Sequence, residues 1–350
     1  GKTSVRSMTA AVLGARYRVH QSARNHNNEL GVPLTLLGLT RAHQVAVVEM
    51  AMRGPGQIAY LADLFHPTAG VVTNIGVSHI ELLGSRVAIA EAKAELIEAL
   101  PDDGAAVLPA DDDFAELLIQ RARRSPNRRV VTFGTGPAAD YRVTNLRITP
   151  DGTTEFRIND VAFIIPAAGV QHGMNAAAAC AAGGLLNVDL LEAAEALRHW
   201  NLPDMRLQMR SGPHGITVLD DTYNAAPDSM RAALRTLERM ARNTGRRAVA
   251  VLGDMKELGE ASRQSHEELG RLPEMSTVSL LITAGVEAER IAATAPMPEK
   301  RTCADAAEAA KVVPPLLRQG DIVLVKGSRA MAMEQVVGAI LQQEIADAPE

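Results

Sequence analysis

Gly1-Lys2-Thr3, running on into Ser4-Val5-Arg6-Ser7-Met8-Thr9-Ala10-Ala11-Val12-Leu13, is the stretch from which the fold is read. Gly-Lys-Thr is how a phosphate-binding loop ends. Its glycine permits a tight turn, its lysine reaches the β- and γ-phosphates, and its hydroxyl ligates Mg²⁺. The next residues have a helical pattern over 4–13, whose N-terminus would add unpaired N–H donors and a positive dipole end. The glycine that opens such a loop is expected upstream of Gly1. Because the tripeptide also arises by chance in surface turns, the reading depends on the rest of the chain.

Downstream of residue 13 the chain settles into a strand–helix rhythm. Residues 43–50 read as a buried parallel strand ending in a carboxylate, and 70–75, 105–108 and 129–133 as further strands. Helical patterns lie between them at 56–64, 87–100 and 111–122. Such alternation predicts a parallel sheet covered on both faces. The rhythm breaks at 141–165. There three short alternating runs (141–148, 153–158, 161–165), separated by Pro150-Asp151-Gly152 and Asn159-Asp160, predict a β-meander on the sheet edge. Two Ala-rich helices, about 174–184 and 188–198, close this part. Near Trp200-Asn201-Leu202-Pro203 the pattern restarts. Strands at 216–219, 248–252, 279–283 and 321–325 alternate with helices at about 228–242, 260–271, 286–294, 304–317 and 330–345, predicting a smaller, Rossmann-like open α/β sheet. The expected domains are therefore 1–201 and 202–350, with residues 347–350 frayed.

Composition narrows the function classes. Hydrophobic residues make up 47% and aromatics only 3%, so the cores must be built from Ala, Val, Leu and Ile. A net charge of −5 speaks against sequence-independent nucleic-acid binding, which needs a basic surface. Cys180 and Cys303 have no metal-ligand spacing, so a disulfide framework is not expected and a reducing cytoplasm fits. No apolar run reaches the roughly 18 residues of a membrane span.

Ligands of open α/β sheets bind beyond the carboxyl ends of the strands. Glu49 and Thr73-Asn74 stand at two such ends. Glu49 either joins Thr3 on Mg²⁺ or is a solvated acid. His79, in Ser78-His79-Ile80-Glu81, is either a hydrogen-bonded structural residue or a second metal ligand or γ-phosphate contact. Lys93 lies in Ala90-Glu91-Ala92-Lys93-Ala94-Glu95, whose charge pattern describes a salt-bridged, solvated helix face. His172 or Asn175, opening an Ala-rich helix, could contact a base, or a side chain there could cap the helix. In the second domain Asp220-Asp221-Thr222-Tyr223-Asn224 brings two acids, a phenol and an amide to one strand end, which suggests a cation held nearby. Gly253-Asp254-Met255 and Lys326-Gly327-Ser328-Arg329 end two further strands. The three clusters predict a cleft facing the first domain.

With these residues in view the chain resembles the Mur ligases over essentially its whole length. The resemblance rests on Asn27-Asn28-Glu29-Leu30-Gly31-Val32-Pro33-Leu34-Thr35, on Thr73-Asn74-Ile75-Gly76 through His79 and Glu81, and on the run from Asp220 to Met230. Leu252-Gly253-Asp254-Met255-Lys256-Glu257-Leu258-Gly259 and Val325-Lys326-Gly327-Ser328 complete it. It implies an α/β fold with a central P-loop-type ATPase sheet and a C-terminal Rossmann-like domain. A further, UDP-sugar-binding domain is implied upstream. The implied activity is ATP-dependent peptide-bond formation through an acyl phosphate, joining D-alanyl-D-alanine to UDP-MurNAc-tripeptide in a monomeric enzyme of peptidoglycan synthesis. A diaminopimelate-recognition Asp-Asn-Pro-Arg motif is absent, which favours the branch that adds the dipeptide. A folylpolyglutamate synthase-like amide ligase or another member of the family is the rival. Another is a binding module without turnover, because the phosphate loop begins before Gly1. The 350 residues are accordingly expected to bind nucleotide weakly and turn nothing over, against full activity in the intact parent.

By the same resemblance Gly1, Lys2 and Thr3 handle the phosphates, with Asn74 beside them. Thr3, Glu49 and His79 serve two Mg²⁺ sites, and Lys93 is carbamylated to act as an anionic bridge. Asn175 with His172 approaches the adenine, and Arg206 the γ-phosphate. Asp221, Tyr223 and Asn224 lie on the nucleotide, and Lys326 and Ser328 near the reacting centre. Three departures stand out: His172-Gly173 replaces the usual His-Asn, Asn224-Ala225-Ala226-Pro227 the usual Asn-Ala-Asn-Pro, and Met50-Ala51 the usual Met-Gly.

Overall fold

The computed structural model describes residues 1–23, 25–78 and 80–342. His79 and the tail 343–350, with the frayed end expected there, lie outside the described residues. The chain divides into two compact units. One comprises Gly1–Arg147, Thr154–Pro166 and Gln171–Asn201, and the other Ile148–Thr153, Ala167–Val170 and Leu202 onward.

The first unit begins with α1 (Lys2–Gly14), β1 (Val19–Gln21), α2 (Gly31–Leu37), β2 (Val45–Val47) and α3 (Gln57–Phe65). It continues through β3 (Ala69–Val71), α4 (Ile80–Leu83), α5 (Arg86–Glu98), β4 (Ala105–Pro109), α6 (Ala115–Ala122) and β5 (Arg129–Gly134). The meander β6 (Tyr141–Ile148), β7 (Thr154–Ile158) and β8 (Val161–Ile165) precedes α7 (His172–Gly184) and α8 (Leu190–Arg198). The sheet order is β3-β4-β5-β6-β7-β8, parallel from β3 to β6, with the meander at the edge as its turn signals predict.

Two expectations are corrected here. The strand expected over 43–50 is only β2, and it pairs with β1 in a separate two-stranded sheet. Past Val47 the backbone leaves the ladder, because Glu49 N–H donates to Ser22 Oγ and Ala51 N–H to the Asn27 carbonyl. The strand expected over 70–75 stops at Val71, four residues before Ile75 N–H turns to Asp112 Oδ2 at 2.7 Å. Both segments trade strand pairing for side-chain anchors, which frees their ends to form a site.

One face of this sheet is covered by α3, α5 and α6, whose Ile58, Ile89, Ile97 and Leu118 pack on Val72 and Leu108. The other meets α7, almost all Ala and Gly and almost wholly buried, with α1 behind it. Small residues let α7 approach closely. A Cβ at Gly173 would stand 2.7 Å from Leu146 Cδ1 and 2.9 Å from Val143 Cγ1 on β6. Gly173 thus lets α7 lie against β6 with Leu146 and Val143 in their present positions. We expect Gly173→Ala to destabilise the first unit by about 1–3 kcal/mol through overpacking, measured as a lower denaturant midpoint for the fluorescence of Trp200.

The second unit runs β9 (Gln208–Ser211), β10 (Thr217–Asp221), α9 (Pro227–Thr244), β11 (Ala248–Gly253), α10 (Ser262–Gly270), β12 (Val278–Ala284) and α11 (Glu289–Thr294). It ends with β13 (Lys300–Cys303), α12 (Ala306–Val312), β14 (Ile322–Lys326) and α13 (Glu334–Leu341). Its sheet has six strands, not the expected four, in the order β13-β12-β11-β14-β10-β9. The two extra strands are short and polar (Gln-Met-Arg-Ser and Lys-Arg-Thr-Cys) and sit on the two edges, where no apolar run is needed. All neighbours are parallel except β9, which runs against β10. The chain passes from β10 to β11 and later inserts β14 between them. This is the kind of crossover at which open α/β sheets gather their ligands. Val218, Val251, Ile282, Val323 and Val336 belong to one core of this unit. Among the described residues no helix is long and apolar enough to cross a membrane.

Candidate functional site

The sequence-predicted residues that are described fall into a group in each unit. In the first, α1 starts directly at Lys2 with Gly1 as its N-cap. A Cβ built on Gly1 would lie 2.8 Å from Asn175 Oδ1 and 3.7 Å from Cβ of Thr73. The start of α1, the end of the β3 segment and the first turn of α7 therefore meet at one point. His172 sits deeper. It is buried, with its ring centroid 5.7 Å from that of Trp200 and the rings edge to face. No side chain caps α7.

Glu49 is buried at 5% exposure. Its Oε1 accepts from Asn27 Nδ2 at 2.9 Å, while Oε2 accepts no hydrogen bond and faces Arg6 Nε at 3.7 Å. A buried carboxylate oxygen left in this state can serve a hard cation. Among the described residues no three His, Cys, Asp or Glu come together as a metal cage. Glu49 Oε2 therefore fits one ligand position of a Mg²⁺ ion.

The salt-bridged face that the charge pattern of α5 predicts is formed by its acids, and Lys93 is the exception. The acids of α5 are spent locally: Glu91 and Glu98 bind Arg121, and Glu95 accepts from the N–H groups of Gly56 and Ala59. Lys93 instead turns to the strand end and donates to the Asn74 carbonyl at 2.6 Å. The next residue is held on both sides. Ile75 N–H goes to Asp112, and the Ile75 carbonyl accepts from Arg86 Nη2 at 3.0 Å. Arg6, Arg86 and Asp112 carry no motif-level signal of these tasks. They become visible only when separate loops converge.

In the second unit the sheet register sets the geometry. Asp221 and Lys326 are paired residues at the carboxyl ends of β10 and β14. Lys326 Nζ lies 2.6 Å from Asp221 Oδ2 and donates to the Asn224 carbonyl at 2.8 Å. The lysine is 2% exposed. Burial pushes its proton affinity down and the Arg206 charge adds to this, while Asp221 opposes both. Arg206 stacks on Tyr223, its Cζ 3.9 Å from the ring centroid. The two adjacent acids have different tasks. Asp220 is turned inward, accepting from Arg210 Nε at 3.0 Å and from the Thr222 hydroxyl at 2.7 Å, and so is structural.

The loops after β11 and β14 touch through glycines. A Cβ at Gly327 would lie 3.2 Å from Gly253 Cα. This closeness lets Ser328 N–H donate to the Asp254 carbonyl at 3.1 Å and Ser328 Oγ accept from Lys256 N–H at 2.8 Å. Asp254 itself is occupied by Ala288 N–H and Lys256 Nζ, so it braces the rim rather than facing a ligand.

His266 holds the same loop. Its Nε2 accepts from Met255 N–H at 3.0 Å, which requires the neutral tautomer with its proton on Nδ1, facing the Ser262 carbonyl at 2.7 Å. Burial lowers its proton affinity, against smaller opposing effects of the Ser262 carbonyl, Asp254 and Glu287. Below about pH 6.5 the unfolded chain takes up a proton that the folded chain refuses, so this contribution is complete above that pH and is lost as pH falls. We expect the second unit to lose stability from this group as pH falls through that window, and His266→Gln to flatten the slope, read from denaturation at pH 7, 6 and 5.

Comparison with known proteins places both units in one family. Residues 1–183 match the model of the Mur ligase middle domain, and 205–329 that of the Mur ligase glutamate ligase domain. The chain is 35% identical over 351 residues to the UDP-N-acetylmuramoyl-tripeptide–D-alanyl-D-alanine ligase of Bacillus subtilis, covering 99% of this chain and 75% of that one. Among solved structures it resembles MurF from Acinetobacter baumannii (TM-score 0.87, 29% identity, 98% of this chain and 75% of that one). It also resembles MurF ligase from Thermotoga maritima in complex with ADP (TM-score 0.84, 28% identity, 98% and 77%). Both family models fall in the expected order on one chain, and the identity is spread over its whole length; the chain belongs to the Mur ligase family.

Proposed function

We propose that the protein uses ATP to join D-alanyl-D-alanine to UDP-MurNAc-tripeptide, a step of peptidoglycan precursor synthesis, acting in the cytoplasm. The observation that carries the reading is the Asp221–Lys326 pair at adjacent strand ends, its lysine buried, in a chain 35% identical along its length to a relative bearing that activity in its name. The free, buried Cys180 and Cys303 are consistent with a reducing compartment. In the reaction the terminal carboxylate of the tripeptide attacks the γ-phosphorus and ADP leaves. The amine of the dipeptide then attacks the acyl phosphate carbon, and phosphate departs.

Each residue has a part in this scheme. Lys2 and Thr3 meet the phosphates at the start of α1. Asn175, beside Gly1, supports the nucleotide with His172 behind it. Glu49 and Thr3, with His79, hold Mg²⁺, which when bound would neutralise charge between the phosphate and the incoming carboxylate. Lys93 carries a carbamate, whose remaining N–H would still donate to the Asn74 carbonyl while its oxygens add negative charge for the metal. Arg206 meets the transferring phosphoryl group. Asp221 and Asn224 lie along the nucleotide. Lys326, its proton affinity lowered by burial, stands ready at the reacting carbonyl with Ser328 bracing its loop.

The test is phosphate release by the intact protein with ATP, Mg²⁺ and UDP-MurNAc-tripeptide. Release should require D-alanyl-D-alanine, and D-alanine, L-alanyl-L-alanine or glutamate should not replace it. Equal release with glutamate would support a different amide ligase.

A further inference from the structure

Arg206 lies in a stretch of unusual backbone. Met205 and Leu207, the residues on either side of it, both adopt left-handed conformations, with φ of 58° and 62°. Side chains with a Cβ rarely accept this region, and they stay there only when the surroundings fix them. Here the surroundings do so at three points. Leu207 is buried at 1% exposure. The Met205 carbonyl accepts from Tyr223 N–H at 3.2 Å. The Arg206 guanidinium lies 3.9 Å over the Tyr223 ring. Tyr223 therefore grips this segment twice, through its backbone and through its ring face.

We propose that Tyr223 is a positioning residue whose ring seats the Arg206 guanidinium for the phosphoryl group, so that its part in the reaction belongs to the ring and not to the hydroxyl. This rests on the proposed function, in which Arg206 meets the phosphate. An arginine side chain has several freely turning bonds, and a guanidinium stacked on an aromatic face loses much of that freedom before any ligand arrives. The strained turn fixes the root of the side chain and the ring fixes its tip. Placement of the phenol beside a nucleotide would instead make the hydroxyl the working group. The two accounts differ on which part of Tyr223 can be removed.

The experiment compares Tyr223→Phe, Tyr223→Leu and Arg206→Ala, alone and combined, in the intact protein. One readout is kcat/KM for dipeptide-dependent phosphate release. The other, independent of turnover, is the chemical shift of the Arg206 side-chain protons in arginine-labelled protein, which the ring should move upfield. Tyr223→Phe should keep both the shift and, within about twofold, the rate. Tyr223→Leu should abolish the shift and lower kcat/KM by about 3- to 30-fold, the range of a partly desolvated cation–π contact. Arg206→Ala should cost more, about 10³-fold if it acts as an arginine finger does, and adding Tyr223→Leu to it should cost nothing further. A Phe variant as impaired as the Leu variant, or independent losses in the double variant, overturns the proposal. Arg206→Ala with unchanged kcat/KM overturns the phosphate role of Arg206 and the seat with it. Failure of the function itself would show differently, as no dipeptide-dependent release from the unmutated protein.

Discussion

Lys326→Met lowers amide-exchange protection across β10 and β14 by about two to almost four powers of ten, the equivalent of about 3–5 kcal/mol. The reason lies in what remains. Asp221 is held on its neighbour by strand register, 2.6 Å from the ammonium. With the ammonium gone, the carboxylate stays in a largely buried position without its cation, and that leftover charge costs more than the pair contributes in net terms. The Asn224 carbonyl loses its donor as well, but Asn224 is exposed, so water replaces that bond. Removing both charges together should restore most of the loss. Asp221→Leu/Lys326→Met is therefore expected to recover much of the protection while remaining inactive. Separating stability from turnover in this way identifies the pair as functional equipment rather than scaffold. A single Lys326→Met variant with unchanged protection would show that the ammonium is not what balances Asp221.

The second large effect concerns Lys93. Lys93→Ala is expected to reduce turnover by about 10²–10⁴-fold with little change in stability. Lys93 donates to a backbone carbonyl, that of Asn74, while the helix it sits on is anchored by other residues, Glu91, Glu95 and Glu98. The chain can therefore fold without it. If the loss comes from a missing carbamate, formate or acetate should restore part of the rate to Lys93→Ala, because a small carboxylate can occupy the space the side chain leaves. Labelled bicarbonate should also give a carbamate carbon signal in the unmutated protein that the variant lacks. Wild-type turnover by Lys93→Ala would remove the residue from the mechanism altogether.

Much of this architecture is legible in the amino-acid sequence. The meander is legible because its turns carry Asp151-Gly152 and Asn159-Asp160, and because its strands alternate apolar and polar residues. The strands of the second unit are legible as short apolar runs, and their polar ends point to Asp221 and Lys326. The edge strands β9 and β13 are not, since an edge strand can be made from Gln, Arg, Lys and Thr as long as one neighbour supplies the ladder. Lys93 is hidden for another reason. A helix face rich in Glu, Lys and Ala looks solvated from its pattern, yet here Ala90, Ala92 and Ala94 are buried and the acids are tied to Arg121 and to the start of α3. The partners of Glu49 cannot be read either, because Arg6 and Asn27 reach it from a helix and a loop distant in sequence. The Tyr223 seat depends on two left-handed residues, and Met205 and Leu207 are types that propensity would never place there.

In the proposed reaction an oxygen atom passes from the tripeptide to phosphate. With ¹⁸O in the terminal carboxylate of UDP-MurNAc-tripeptide, the intact protein, ATP, Mg²⁺ and D-alanyl-D-alanine should release inorganic phosphate carrying one ¹⁸O atom for each peptide bond formed, read by mass spectrometry. Phosphate without label, alongside the same peptide product, would contradict it, because the carboxylate would then never have been phosphorylated.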